Sequence, residues 1–357
     1  MKEIIGSDKK SAVQAKFDAQ KIAFAPIMFQ AAKALRDLGI LEYLLKSEQK
    51  AADIDEIAAA LDLSVYGVKV LLEAGLSLEM VMRKAGKFSL TKTGYFILSD
   101  ELTRVNMDFT QDVNYLGMFK LQESIENGKP EGLSVFGKWD TVYEALAELP
   151  PKVRESWFAF DHFYSDYAFP EVMLHLFNEK PKKILDVGGN TGKFSIFCAE
   201  HNKDVHMTIL DLPGQIDDAL INIRKKGLEE RISTHALNLL DNTIPFPKKH
   251  DAIWMSQFLD CFSQEEILGL LKRSYEALED EGSLFILETY WDKQKYEAST
   301  YSLHATSLYF TAIANGNSQM YHSDDMVKLV EKSGLYVDTV YENIGVSHTL
   351  FKCKRKK

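Results

Sequence analysis

The side chains best suited to chemistry gather around one stretch, Lys182 to Gly192, which reads KKILDVGGNTG. Ile184, Leu185 and Val187 form an apolar run with Asp186 inside it, and a glycine-rich turn follows. From Lys193 the apolar residues become periodic, as in a helix. A strand, a tight turn and a helix start together aim backbone N–H groups and a helix N-terminus at a nucleotide-like ligand. A phosphate-binding loop would need GxxxxGK followed by Ser or Thr. Val187 stands where its first glycine belongs, and Phe194 where a hydroxyl must meet magnesium. A dinucleotide fingerprint would need GxGxxG, but Asn190 and Lys193 occupy two of its glycine positions. The pattern that remains is acidic-x-G-x-G-x-G, carried by Asp186, Gly188 and Gly192 with Asn190 in the middle. Asparagine tolerates positive φ better than other non-glycine residues, so the turn survives there. Asp211 ends the next apolar run, about 20 residues past the turn, where a carboxylate can accept both hydroxyls of a ribose. Its alternative role is to cap the helix that begins at Pro213.

The elements that must position these residues follow from periodicity. Apolar runs predict strands at 183–188, 205–211, 232–238, 250–258 and 283–290, with helices filling the gaps and a last helix at 323–333. Tyr336–Ile344 and Thr349–Lys354 have no helix between them and should pair antiparallel. The fold class is α/β: a Rossmann-like, doubly wound sheet of seven strands with an antiparallel last strand, and ligands at the carboxyl ends of its strands. Ahead of it, Phe24–Leu45 has helical spacing, Asp53 and Ser64 cap two further helices, and Phe88–Thr91 with Thr93–Tyr95 reads as a strand and turn. That is a mainly helical winged-helix domain. Its second capped helix carries Lys69 and Glu73 but no arginine for base edges, which favours dimerisation over DNA binding. Between the two lies a helical stretch rich in aromatics, including Tyr115, Phe119, Trp139, Tyr143, Trp157, Phe158, Phe160, Phe163, Tyr164 and Tyr167. Most of these are expected in the core, with a few lining a pocket for a planar substrate. The expected domains are 1–105, 106–175 and 176–357.

The totals exclude several classes. A net charge of -10 argues against DNA or an anionic membrane as the main partner. Three cysteines without CxxC spacing form neither a disulfide framework nor a zinc site, and no metal is expected. The N-terminus has no apolar signal core, and no run approaches the roughly 20 apolar residues that span a bilayer. The expected location is the cytoplasm.

Taken jointly, these residues resemble the class I S-adenosylmethionine-dependent O-methyltransferases with a fused winged-helix dimerisation domain, which include plant caffeate and flavonoid enzymes and bacterial hydroxyneurosporene and antibiotic-tailoring enzymes. DVGGNTG resembles the family's DVGGGTG, and Leu210–Pro213 its FDLP. Asp251–Ser263 runs without a gap along the stretch that ends in HDWSD, and Tyr275–Leu278 and Leu287–Glu288 also match. The resemblance implies S-adenosylmethionine as cofactor, a small-molecule substrate and a homodimer. It implies that the turn of Asp186, Gly188 and Gly189 faces the methionine part of the cofactor. Asp211 would hold the ribose and Leu212 would lie against the adenine, with Asn238 and Leu239 near it. Ser256 replaces a family lysine, and Phe262 a tryptophan packed by the cofactor. Phe160 to Tyr164 falls on a substrate-contacting segment, so Tyr115, Phe160, Phe163 and Tyr164 are the substrate candidates.

The catalytic pattern departs from the family's. Methyl transfer to a phenol needs an aligned nucleophile and a base. The family uses a histidine flanked by two carboxylates. Here that position is Asp260, followed by Cys261; the first carboxylate survives as Glu288, and the second falls near Gln319–Met320, where there is none. Three readings stay open. Asp260 is the base, its pKa raised by burial or by Glu288; the substrate ionises unaided; or activity is lost and the cofactor is a regulatory ligand. Asp260 can also simply precede the helix capped by Ser263 and Glu266. His304 and His322 are alternative bases, each more readily an ordinary surface or core residue. The leading expectation is O-methylation of a small aromatic or polyketide-like hydroxyl, with C- or N-methylation as the variant chemistry.

Overall fold

The computed structural model describes residues 8–356, apart from the side chains at 164–166. The chain divides into two compact units, one ending at Gln111 and the other starting at Asp112.

The first unit packs helices Ala25–Asp37, Ile40–Lys46, Ile54–Leu61 and Val65–Ser77 around Leu35, Ile40, Leu41, Leu44, Ile57, Leu72 and Phe88. Gly39, at φ +80, breaks the expected 24–45 helix in two. Asp53 closes a capping box and Ser64 caps the next helix, as their spacing predicts. Strands β1 (Val81–Lys84) and β2 (Lys87–Leu90) form an antiparallel hairpin across Ala85 and Gly86. Both turn residues have positive φ, the conformation that matches strand twist in a two-residue loop. The stretch 93–95 is not a turn: Thr91 caps a helix over Lys92–Ser99 that absorbs it. Helix Ala12–Ala23 buries none of its residues and leaves Val13, Phe17 and Ile22 exposed.

The second unit is built on strands β3 (Lys183–Val187), β4 (His206–Asp211), β5 (Ile232–Ala236), β6 (His250–Ser256), β7 (Leu278–Glu288), β8 (Leu335–Ile344) and β9 (His348–Arg355). Their order in the sheet is β5-β4-β3-β6-β7-β9-β8. Strands β3 to β7 run parallel, and β9 lies antiparallel between β7 and β8. The chain leaves β3 toward β4 on one side and returns to β6 on the other. That reversal opens a crevice at the carboxyl ends of β3 and β6. The strands read as continuous apolar runs because both faces are covered. Leu185, Ile253 and Ile286 pack on one face, and Ile184, Trp254 and Phe285 on the other.

Two expectations fail here. No helix fills 237–249, because Pro245 and Pro247 forbid one. Arg273 holds that segment instead, donating to the carbonyls of Asp241 and Leu239 and lying over the Phe246 ring. Nor is the aromatic stretch mostly core. Of its described members only Trp157 is buried, while Phe119 and Tyr167 are exposed. The Pro151–Asp166 helix carries Trp157, Phe158, Phe160 and Phe163 and buries only the first of them.

His348 opens β9 fully buried, and neither ring nitrogen has a hydrogen-bond partner. Burial pushes its pKa down from the ordinary 6.5 to about 4. Between those values the unfolded chain binds the proton that the folded chain refuses, so stability falls as pH falls through the window. The loss should approach about 3 kcal/mol, reading the shift at 1.36 kcal/mol per unit. Urea unfolding from pH 7 to 4 should show that slope in the native chain and a flatter one in His348→Leu.

Candidate active site

The glycine turn leaves β3 at Val187. Gly188 has φ +76, and a Cβ there would lie 2.3 Å from the Phe258 ring. Only glycine fits. Asn190 (φ +48) and Gly192 (φ +79) complete the turn in left-handed conformations, with the helix Lys193–His201 starting directly after. Asp186 lies beneath it, accepting a 2.6 Å hydrogen bond from Ser195 Oγ. Burial drives its carboxyl up to about 7, and the Ser195 hydroxyl opposes the rise.

Asp211 ends β4 beside the turn. Its Oδ2 accepts from the Asn190 amide and its Oδ1 from the Leu212 amide, each at 2.7 Å. Burial raises its pKa, and the two amides hold it back. Each carboxylate oxygen keeps a further lone pair, enough for two ribose hydroxyls. Asp211 does not cap the following helix, whose N-cap is Leu212. The bare glycine, the left-handed turn and this carboxylate therefore fit the nucleoside of S-adenosylmethionine. Asn238 is exposed and closes its own turn, accepting from the Leu240 amide. Leu239 is sealed into the core. The Ser256 hydroxyl, at the end of β6, is buried without a partner. Phe262 packs edge-on to Phe258, ring centroids 4.7 Å apart, beside the glycine turn.

Asp260 sits in a short turn, Leu259–Cys261, directly after β6. Glu288 is the last residue of β7 and fixes that turn. Its Oε1 accepts from the amides of Phe258 at 3.0 Å and Leu259 at 2.8 Å. Its Oε2 is buried and has no partner. Burial pushes the Asp260 carboxyl up to about 7; the Cys261 thiol, 3.5 Å away, opposes this, and the carboxyl of Asp161 adds to it. Burial, and after it the charge of Asp260, pushes Glu288 well above the carboxylate range.

Aromatic side chains wall this acidic pair. Trp157 Nε1 donates to the Tyr309 hydroxyl at 2.7 Å. A π-helical turn, Phe310–Ala314, follows Tyr309 and delivers Asn315, whose amide donates to the Cys261 carbonyl at 2.6 Å. Tyr321 donates to the Phe262 carbonyl at 2.5 Å. Burial raises the phenols of Tyr143 and Tyr309, both of which also feel Cys261 and Asp260. Spacing along the chain leaves out Asp161 and Tyr309. The signal for Asp161 was helical: it follows Trp157 by one turn and so shares its face. Tyr115, Phe160 and Phe163 are half-buried, and Tyr164 lies outside the described side chains. His304 and His322 pack against Trp291, and His322 caps the Ser323–Lys332 helix.

Residues 165–335 match the O-methyltransferase domain family, and residues 16–88 match the Dimerisation2-like domain family. The chain belongs to the class I S-adenosylmethionine-dependent O-methyltransferase family. It is 24% identical over 322 residues to L-tyrosine C(3)-methyltransferase of Streptomyces lavendulae, covering 89% of this chain and 86% of that protein. It is 24% identical over 269 residues to 3-hydroxy-5-methyl-1-naphthoate 3-O-methyltransferase of Streptomyces sahachiroi, covering 74% and 75%. Among solved structures, the S-adenosylmethionine-dependent methyltransferase SibL in its apo form superposes with a TM-score of 0.72 at 23% identity, covering 94% of this chain and 98% of that one. The protein is thus an S-adenosylmethionine-dependent methyltransferase carrying a dimerisation-type N-terminal domain. Among its described residues no helix is long and apolar enough to cross a membrane.

The methyltransferase should bind S-adenosylhomocysteine through Asp211 and the bare turn. In calorimetry, Gly188→Ala and Asp211→Ala should each weaken that binding by about tenfold or more, the scale of a lost charged hydrogen bond. Unchanged affinity in both would remove the turn from the cofactor site.

Proposed function

We propose that the methyltransferase transfers its methyl group to the hydroxyl of a small aromatic acceptor, with Asp260 as general base. The observation that carries this is the buried Asp260 carboxyl, raised to about 7 and standing in the family histidine's place among Trp157, Tyr143 and Tyr309. Bound S-adenosylmethionine supplies an electrophilic methyl on a sulfonium leaving group. The protein's own work is positional and protolytic. Glu288 holds the turn through the Phe258 and Leu259 amides, so the Asp260 oxygen stays where an acceptor hydroxyl can hand over its proton. The aromatic wall orients a planar ring and keeps water from the reacting centre. Phe160, Phe163 and Tyr115 complete the acceptor side, and Asp211 with the Gly188 turn the donor side.

A second reading, methylation of the ring carbon beside the hydroxyl, is supported by the likeness to the L-tyrosine C(3)-methyltransferase, which spans most of both chains. Both outcomes begin with the same phenolate. Mass and NMR analysis of products from labelled cofactor separates them, since only O-methylation consumes the hydroxyl. We further infer that two copies associate through the N-terminal unit. Exposed Val13, Phe17 and Ile22, on a helix that buries nothing of its own, support this together with the Dimerisation2-like match.

A base must be unprotonated to act, so kcat/KM should fall as pH drops below about 7. Asp260→Asn should abolish that limb and lower kcat by roughly a hundred- to ten-thousandfold, the usual worth of a positioned base. Near-native turnover in this variant would rule the role out.

A further inference from the structure

The turn that carries Asp260 is held from both sides. Ahead of Asp260, Glu288 takes the amides of Phe258 and Leu259. Behind it, Asn315 Nδ2 donates to the Cys261 carbonyl at 2.6 Å, and the Tyr321 hydroxyl donates to the Phe262 carbonyl. On that side Asn315 is the grip nearest Asp260. Its other Nδ2 hydrogen goes to Ser318 Oγ at 2.8 Å, and its Oδ1 accepts from the Asn317 and Ser318 amides, each at 3.1 Å. A carboxamide has two donor hydrogens and two acceptor lone pairs, and here all four are taken inside the protein. Two amides on the oxygen also decide which way the group faces, with its nitrogen toward Cys261. Asn315 therefore serves the turn and has nothing left to offer an acceptor molecule.

The chain is bent to put it there. Phe310–Ala314 is a π-helical turn, closed by the Asn315 and Gly316 amides on the Phe310 carbonyl at 3.1 and 3.0 Å. Such turns are rare and often stand at functional sites. This one is pressed against other backbone. A Cβ on Gly132 would lie 2.6 Å from the Ala312 carbonyl oxygen, and one on Gly316, at φ +86, would lie 2.5 Å from Lys129 Cα. Close packing on both sides leaves Asn315 little room to shift. We propose that Asn315 is a positioning residue for the methyl transfer: through the Cys261 carbonyl it sets how far Asp260 reaches into the acceptor site. The inference rests on the reading of Asp260 as base and adds the residue that aims it. With that carbonyl released, the backbone after Asp260 is free to drift, and a displacement of about 1 Å is enough to spoil proton transfer.

The test uses the full-length protein and two variants. Asn315→Asp keeps the oxygen that accepts from the two amides and loses the donor to Cys261, whereas Asn315→Ala loses both. Iodoacetamide labelling, read at each cysteine by mass spectrometry, reports on the turn, because Cys198 and Cys353 are fully buried and Cys261 is half-buried. Both variants should label Cys261 about tenfold faster or more, the scale of one lost hydrogen bond, with Cys198 and Cys353 still protected. Affinity for S-adenosylhomocysteine should stay within about twofold of native, since Asn315 grips the acceptor turn and not the glycine turn. With labelled S-adenosylmethionine and para-cresol, kcat should fall about a hundredfold at little change in KM, as for a misplaced base. The acid limb of kcat/KM should move to lower pH as water reaches Asp260. Unchanged Cys261 labelling, labelling of all three cysteines together, or a raised KM at native kcat would overturn the proposal. Transfer to para-cresol at native rate and pH profile in both variants would remove this inference and leave the hydroxyl reading standing. Faster Cys261 labelling in a protein that methylates no phenol oxygen would remove the hydroxyl reading and leave the grip of Asn315 on the turn standing.

Discussion

Two backbone amides, those of Phe258 and Leu259, converge on one oxygen of Glu288. This contact joins the end of β7 to the loop leaving β6, and much of the site hangs from it. It fixes the turn that carries Asp260. It sets the Phe258 ring against the bare face of Gly188, so that the cofactor turn and the acceptor turn share a wall. It also positions Cys261, whose carbonyl Asn315 then holds. A buried carboxylate bound to backbone N–H groups has little freedom to move, and its second oxygen is buried without a hydrogen-bond partner. Rigidity and an unsatisfied acceptor thus come from one side chain.

The substitutions that depart from the family's pattern make sense together. A histidine base becomes a cation when it takes a proton, and flanking carboxylates stabilise that cation. An aspartate base becomes neutral instead, so a second flanking carboxylate would only hinder its ionisation. Near the place where the resemblance puts that carboxylate, this chain has Met320, whose sulfur accepts from the Thr289 hydroxyl. In the proposed mechanism, Asp260 and Met320 are two halves of one electrostatic exchange.

Most of the sheet was legible because its signals are local. Apolar runs gave the parallel strands to within a few residues at most ends, and the helix-free link between Tyr336 and Thr349 gave the antiparallel pair. The Asp53 cap and the Ser263–Glu266 capping box are local patterns and appear as expected, and Asp53 adds a capping box of its own with Glu56. The failures came where a neighbour or a proline decides. The segment 237–249 has polar spacing that admits a helix until Pro245 and Pro247 are weighed, and Arg273 from another helix then clamps it. The Thr93–Tyr95 turn became a helix because Thr91 caps it. In the site, Gly188, Asp211 and the Asp260–Glu288 pair were visible as motif positions. Tyr309 was not, since what ties it to the site is a contact with Trp157, 152 positions away in the chain.

The acidic cluster also explains why such a site can remain folded. Asp260 and Glu288 would destabilise the fold if both were ionised, since each loses water and repels the other. Burial raises both carboxyls, Asp260 to about 7 and Glu288 well above the ordinary carboxylate range, and so spares the site part of that charge. In the proposed mechanism the ionised form of Asp260 is the one able to take a proton from a hydroxyl, and a pKa near neutrality makes that form both available and basic enough to do so.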